Sequence, residues 1–301
     1  MKANPFDPIT LSKISNMELR ARYIVDGVLS GIHKSPYDGS SIEFLEHKEY
    51  SPGNEIKHID WKVLAKTDKY YVKQFEEETN LRCYLFLDAS GSMGYKSTGI
   101  SKFEYAATLA ASLSYLFLKQ SDLVGLVSFS DRVLHYTPPR SRITHLHTLL
   151  KVLAELKTAG KSDTSTVLNN FIEKIGHRSL IIIFSDFFDK VEKIIHRLQH
   201  FQFKKNEIIL FHILDPYELT FPFESVTFFE SMEDERHILA DPKSIKRHYL
   251  SEMNSFLEQF KQSCFENKID YWLVDSSAPM DQVLIKFLVR RESSRRLVNK
   301  A

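Results

Sequence analysis

Asp88-Ala89-Ser90-Gly91-Ser92 places an aspartate and two hydroxyls at alternate positions of a glycine-containing turn. That alternation can aim three oxygens at one point. Hard oxygen ligands with a single charge among them suit Mg²⁺, which takes an octahedral shell and keeps part of its water. The spacing alone is a weak signal, because D-x-S-x-S arises by chance in roughly one chain in fifteen of this length at average residue frequencies. A strand-ending turn with a helix cap uses the same residue types. Two other polar clusters add weight to the metal reading: Ser185-Asp186 ends an apolar run, and Gly160-Lys161-Ser162-Asp163-Thr164 precedes a helical pattern.

Other chemistries fit less well. An aspartyl phosphatase of the haloacid-dehalogenase type needs D-x-D, and Ser90 stands at the second aspartate. Gly94 and Gly99 keep the spacing of a phosphate-binding loop, but Ile100 replaces its lysine. Residues 89–94 do not supply the G-x-S-x-G of a nucleophile elbow. A hydrolase that uses the same cation as a Lewis acid is the alternative reading, and it lacks an evident base. His196 and His200 are four apart on an expected helix without an HExxH motif, so they read as surface or half-buried side chains. His145 and His147, two apart, face different sides of a helix. Glu76-Glu77-Glu78 reads as a solvated face.

Residues of this kind need strands to hold them. Residues 84–87, 123–129, 180–184, 208–214 and 269–274 are short apolar runs, and 133–136 can extend the second. Helical patterns lie between them, at about 103–117, 143–156, 166–175, 191–201, 245–266 and 281–289. Strands separated by helices predict an α/β fold, a mainly parallel sheet with helices on both faces. Such sheets bind ligands at the carboxyl ends of their strands, where Asp88 and Asp186 fall. Residues 1–79 read differently, with turn signals at 35–39 and 51–54. Residues 80–290 form the expected domain and 291–301 a basic tail.

The three polar clusters together resemble the metal-ion-dependent adhesion site of von Willebrand factor A domains, built from a DxSxS loop, a hydroxyl of a second loop and an aspartate ending a third strand. The resemblance implies that Asp88, Ser90, Ser92 and Asp186 hold Mg²⁺ or Mn²⁺. The second element is usually a threonine six positions before an apolar helix residue. Counting back from Leu168 gives Ser162, which keeps the hydroxyl, with Thr164 as the alternative.

A second resemblance lies upstream. Residues 47–54 (HKEYSPGN), 58–62 (HIDWK), Ala65-Lys66 and 74–78 (QFEEE) are similar to the signature of the bacterial "domain of unknown function 58" family, Y-x-P-G-D…R-x-I-D-W…A-R, which precedes an A-type domain. Asn54 stands for Asp, and Lys57 and Lys66 stand for Arg. Lysine keeps the charge but loses the bidentate fork. The resemblance covers about residues 20–290. It implies a von Willebrand factor A-like fold and partnership with a MoxR-type AAA+ ATPase, or with its client, through an acidic residue. It implies a role in protein maturation or complex assembly, and the lack of an evident base favours an interaction module over an enzyme. Tyr50, Pro52, Gly53, Asp60 and Trp61 are the expected partner-binding residues, with Trp61 either a binding hot spot or a pin for the N-terminal segment.

Composition sets the outer limits. Lys and Arg number 40 against 39 Asp and Glu, so no bulk field draws the chain to nucleic acid or an anionic membrane. Cys83 and Cys264 are too few for a disulfide framework and fit a reducing compartment. Residues 1–8 lack the apolar core of a signal peptide. The most apolar helical stretch, 106–118, is too short to span a bilayer. The expectation is a soluble cytoplasmic protein without membrane insertion.

Overall fold

The computed structural model describes the backbone of residues 6–34, 48–49, 71–72, 81–97 and 99–298, and the side chains of 6–30, 81–97 and 99–291. The chain forms two compact units, Met1–Gly31 with Leu81–Ala301, and Ile32–Asn80. The expected N-terminal segment 1–79 therefore divides at Gly31. Helix α1 (Pro8–Ser12) precedes that division, which falls within the last turn of α2 (Met17–Lys34). Ala21, Ile24, Val25 and Val28 are buried at i, i+3, i+4 and i+7, the spacing of one helix face. Arg20 donates to Thr108 Oγ1 at 3.0 Å and to the Ile14 carbonyl at 2.6 Å. In the second unit, β1 (Lys48–Glu49) pairs antiparallel with β2 (Tyr71–Val72). Tyr50, Pro52, Gly53, Asp60 and Trp61 lie outside the described residues.

From Leu81 onward the elements are β3 (Arg82–Asp88), α3 (Lys102–Lys119), β4 (Leu123–Phe129), β5 (Val133–Arg140), α4 (His145–Glu155), α5 (Thr164–Phe171) and β6 (Ser179–Ser185). They continue with α6 (Val191–Phe203), β7 (Glu207–Leu214), α7 (Pro216–Thr220), β8 (Thr227–Glu230), β9 (His237–Ala240), α8 (Pro242–Glu266), β10 (Asp270–Asp275) and α9 (Met280–Val298). The main sheet has six strands in the order β10-β7-β6-β3-β4-β5, all parallel except the edge strand β5. Numbered from β3, this is the doubly wound order 3-2-1-4-5-6, which reverses direction between β3 and β6. The crevice at that reversal is where such sheets place their ligands.

Alternating residues build two cores. Tyr84, Phe86, Val127, Ile181, Ile183, Ile208 and Leu210 pack with Val167, Leu168 and Phe171 of α5, Ile194 and Leu198 of α6 and Phe260 of α8. On the other face Phe184 stacks on Phe211 at 5.1 Å, and Phe287 of α9 closes on Phe211 at 5.7 Å. Helices therefore cover both faces of the sheet. Every residue of β6 is buried, which is why this central strand reads as one continuous apolar run.

Three differences from the expected elements have physical causes. The hairpin β8–β9 and the short α7 carry no alternating pattern, since Phe228-Phe229 and Ile238-Leu239 are consecutive apolar pairs. Helix α5 stops at Phe171, short of the expected 175. Helix α9 runs to Val298, so the expected basic tail begins as helix. Arg291, its side chain only 10% exposed, pairs with Glu207 at 2.8 Å and ties the helix to the sheet beyond residue 290. No described helix is long and apolar enough to cross a membrane.

Candidate metal centre

Strands β3 and β6 pair in register up to Leu87 opposite Phe184, so Asp88 and Ser185, the last residues of their strands, come side by side at the carboxyl edge of the sheet. Asp88 is fully buried. Its Oδ1 accepts the Ser90 backbone N–H at 2.9 Å. Its Oδ2 accepts the hydroxyls of Ser185 at 2.6 Å and Ser162 at 3.1 Å. Ser90 Oγ lies 3.2 Å from Ser92 Oγ, and Ser162 Oγ lies 3.4 Å from Thr164 Oγ1. Of the two second-loop hydroxyls, Ser162 meets Asp88 and Thr164 sits one hydrogen bond behind it.

Backbone bonds lock the loops together. Ala89 N donates to the Phe129 carbonyl at 2.7 Å, Gly91 N to that of Gly160 at 2.8 Å, and Ala159 N to that of Ala89 at 2.9 Å. Gly91 has an ordinary helical φ of −56°, so close approach rather than backbone conformation demands glycine there. A Cβ on Gly91 would collide with the carbonyl oxygen of Met232, in the turn of the β8–β9 hairpin. Lys161 and Asp234 form an ion pair at 3.5 Å across the same contact. The hairpin tip thus rests on the DxSxS loop.

Asp186 is buried beside this cluster. Lys102, the first residue of α3, brings its Nζ to 2.8 Å from Asp186 Oδ2 and 2.7 Å from Glu218 Oε1. The same ammonium lies 5.1 Å from the centre of the Phe188 ring. Asp186 Oδ1 is buried without a hydrogen-bond partner. Burial, and then the negative charge of Asp186, push the Asp88 carboxyl up to about 6, against hydrogen bonds from Ser185 and Ser90. Burial alone would lower the Lys102 ammonium, but Asp186 and Glu218 outweigh it and hold the ammonium above its ordinary value. Burial raises the Glu218 carboxyl against the pull of Lys102.

Among the described residues no three His, Cys, Asp or Glu side chains gather as a metal-binding group. The donor set here is instead two carboxylates and several hydroxyls. It fits a hard divalent cation on one observation: a buried carboxylate oxygen of Asp186 is left unpartnered next to a second carboxylate. Such an oxygen is costly to bury unless something positive reaches it.

The structure brings together Asp88, Ser90, Ser92, Ser162 and Thr164, with Asp186 beside them. Sequence reasoning missed Lys102 and Glu218, and it named Ser185 as part of the polar pair closing β6 without assigning its hydroxyl to Asp88. A usable signal existed for Lys102, a cation in the first turn of an otherwise apolar helix. The helix dipole disfavours a positive charge there, so a lysine retained at that place calls for a buried partner. His196 is exposed and His200 half-buried, 5.0 Å apart ring to ring on α6, while His145 is buried with its Nε2 at the Val124 carbonyl and His147 is exposed.

The family described as "Protein of unknown function DUF58" matches residues 46–255, a span that begins one residue before the His47 signature and takes in the whole candidate site. The uncharacterized protein Rv1480 of Mycobacterium tuberculosis is 25% identical over 219 residues, covering 72% of this chain and 68% of that protein. Among solved structures, the conserved hypothetical protein BatB of Bacteroides thetaiotaomicron aligns over 71% of this chain and 99% of its own at 14% identity and TM-score 0.45. The SpRpn10 VWA domain aligns over 68% and 94% at 11% identity and TM-score 0.37. With a family match that covers well over half its length, the chain belongs to the DUF58 family.

Proposed function

We propose that this protein is a metal-dependent protein-interaction module, a partner or adaptor of a MoxR-type AAA+ ATPase that acts in the cytoplasm in protein maturation or complex assembly. The observation that carries the metal dependence is the unpartnered, buried Oδ1 of Asp186 beside Asp88 at the switch point of the sheet. Asp88, Ser90, Ser92 and Ser162 would hold Mg²⁺ or Mn²⁺ with Asp186, and Thr164 supports Ser162 from behind. Bound there, the cation supplies an open coordination position for the carboxylate of an incoming Asp or Glu.

This chain's own residues shape that encounter. Asp88 is held by neutral donors, so its charge remains available. The hairpin tip at Met232 and Asp234 leans on the loop and narrows the approach. Tyr50, Pro52, Gly53, Asp60 and Trp61, outside the described residues, would add to partner binding, with Trp61 as an aromatic anchor. The ATPase itself is inferred from the family's signature, by analogy.

The alternative, a metal-dependent hydrolase using the same cation, needs a base with access to the site. His212 is the imidazole nearest in the sheet, opposite Ser185. It is fully buried among Phe187, Phe256, Phe260 and Tyr271, with Nδ1 2.8 Å from the Tyr271 hydroxyl, and burial pushes its pKa down to about 3. Its enclosure favours the binding reading. Calorimetry with Mg²⁺ and Mn²⁺ on wild type and Asp88→Ala tests the cation. Affinity for the purified ATPase, in Mg²⁺ and in chelator, tests the bridge for wild type, Ser90→Ala and Trp61→Ala. Equal heats in wild type and Asp88→Ala would reduce the loop to a helix cap, and chelator-insensitive binding that survives Ser90→Ala would end the metal-bridged model.

A further inference from the structure

Lys102 sits where a lysine has little reason to be. It opens an 18-residue helix, where the dipole already presents positive charge, and its side chain is completely buried. An isolated ammonium in that position would be strongly destabilising. Two carboxylates meet it instead, and neither is free to serve it alone. Glu218 Oε2 also accepts the Asp215 backbone N–H at 2.8 Å, in the capping box of α7. Asp186 turns only Oδ2 to the lysine and leaves Oδ1 unpartnered.

Charge sharpens this. Asp88 and Asp186 are buried carboxylates at the ends of β3 and β6, Asp215 follows β7 and Glu218 lies in α7, and Lys102 is the ammonium that pairs with Asp186 and Glu218. Negative charge at this edge therefore exceeds what the lysine returns. From this geometry we infer that Lys102 is a tethered counter-cation, which shares Asp186 with the divalent ion and sets how tightly the Asp88 loop takes it. The inference rests on the metal reading above. It adds that part of the site's positive charge is covalently built in, and that Glu218 draws this charge away from Asp186. Lys102 acts through Asp186 and is a positioning residue, not a ligand.

Two substitutions should then move affinity in opposite directions. Lys102→Met keeps the length of the apolar stem and removes the charge, so the loop should bind Mn²⁺ more tightly, by roughly tenfold or more given one unit charge this close in a partly desolvated site. Glu218→Gln removes the second negative charge and leaves Asp186 as the ammonium's charged partner, so Mn²⁺ should bind several-fold more weakly. A merely structural role would weaken binding in both. Glu218→Gln also covers the case in which Lys102→Met does not fold, since it retains the lysine and an amide able to accept its hydrogen bond.

The experiment is Mn²⁺ titration of the full chain, by calorimetry and by electron paramagnetic resonance of free Mn²⁺. It uses wild type, Lys102→Met, Glu218→Gln and Asp88→Ala, with circular dichroism as the check on folding. Tighter binding in Lys102→Met and weaker binding in Glu218→Gln, with none in Asp88→Ala, is the expected result. Equal affinities in wild type and both variants, abolished by Asp88→Ala, would overturn the counter-cation and leave the metal reading standing. Binding by Lys102→Met but not by wild type would do the reverse, making lysine the resident cation of the native site. Weaker binding in both folded variants, or no binding by any, overturns the inference.

Discussion

Asp88 and Asp186 end or follow adjacent strands at the same edge of the sheet, both buried, yet their surroundings differ in kind. Asp88 is gripped by neutral donors only: one backbone N–H and the hydroxyls of Ser162 and Ser185. Asp186 has a lysine on one oxygen and nothing on the other. Hydroxyls and amides fix a carboxylate's direction without cancelling its charge, while an ammonium cancels charge and leaves one oxygen to be satisfied elsewhere. One region is thus geometrically complete and electrostatically open. The other is electrostatically compensated and geometrically open. A divalent ion between them would complete both at once.

The largest expected effect comes from breaking the compensated region. Lys102→Met removes one partner of a buried ion pair, which typically costs about 3–5 kcal/mol because the remaining charges are left uncompensated. Urea denaturation in chelator should show that loss, and Asp186→Asn in the same chain should recover part of it. If the single variant unfolds at the wild-type urea concentration, the compensation is not what stabilises this edge.

Next in size is a pH effect from the open region. The Asp88 carboxyl lies near 6 when folded, against an ordinary 3.8. Between those values the folded chain holds a proton that the unfolded chain has released, so stability falls as pH rises through the window. Relative to Asp88→Asn, wild type in chelator should lose roughly 3 kcal/mol between about pH 4 and pH 7. A stability difference that stays flat across that range would place Asp88 in a better-compensated setting than its partners indicate.

The smallest effect belongs to the rim. Lys161, 64% exposed, faces Asp234 at 3.5 Å, and an exposed pair is screened and entropically costly. Lys161→Ala should leave the urea midpoint where it is. A measurable shift would mean that the hairpin tip contributes to stability through this pair as well as through the Met232 contact.

Much of the frame was legible without coordinates. The parallel strands announce themselves because burial on both faces makes them unbroken apolar runs, as in β6, and a polar residue closing such a run marks the strand's carboxyl end. Asp88 and Asp186 could be named for that reason, with Ser90 and Ser92 following in the turn, whereas Ser162 and Thr164 came from the resemblance to the metal-ion-dependent adhesion site. Boundaries were less legible. Helix α9 passes residue 290 because Arg291 finds Glu207 on a strand 84 positions earlier, which no local pattern records. The β8–β9 hairpin escaped notice because its apolar residues come in adjacent pairs, and pairs do not alternate.

The sequence by itself determined the strand order's raw material and the residues at its ligand-bearing edge, since both are written in short-range hydrophobic periodicity and turn chemistry. Only the tertiary structure decided how those residues are charged. Lys102 reaches Asp186 across 84 residues and Glu218 across 116, and the Met232 carbonyl closes on Gly91 from the far side of the chain. Electrostatic compensation depends on distance through space in a poorly screened interior. Chain position carries almost no information about that distance until helix α3 and the sheet have packed.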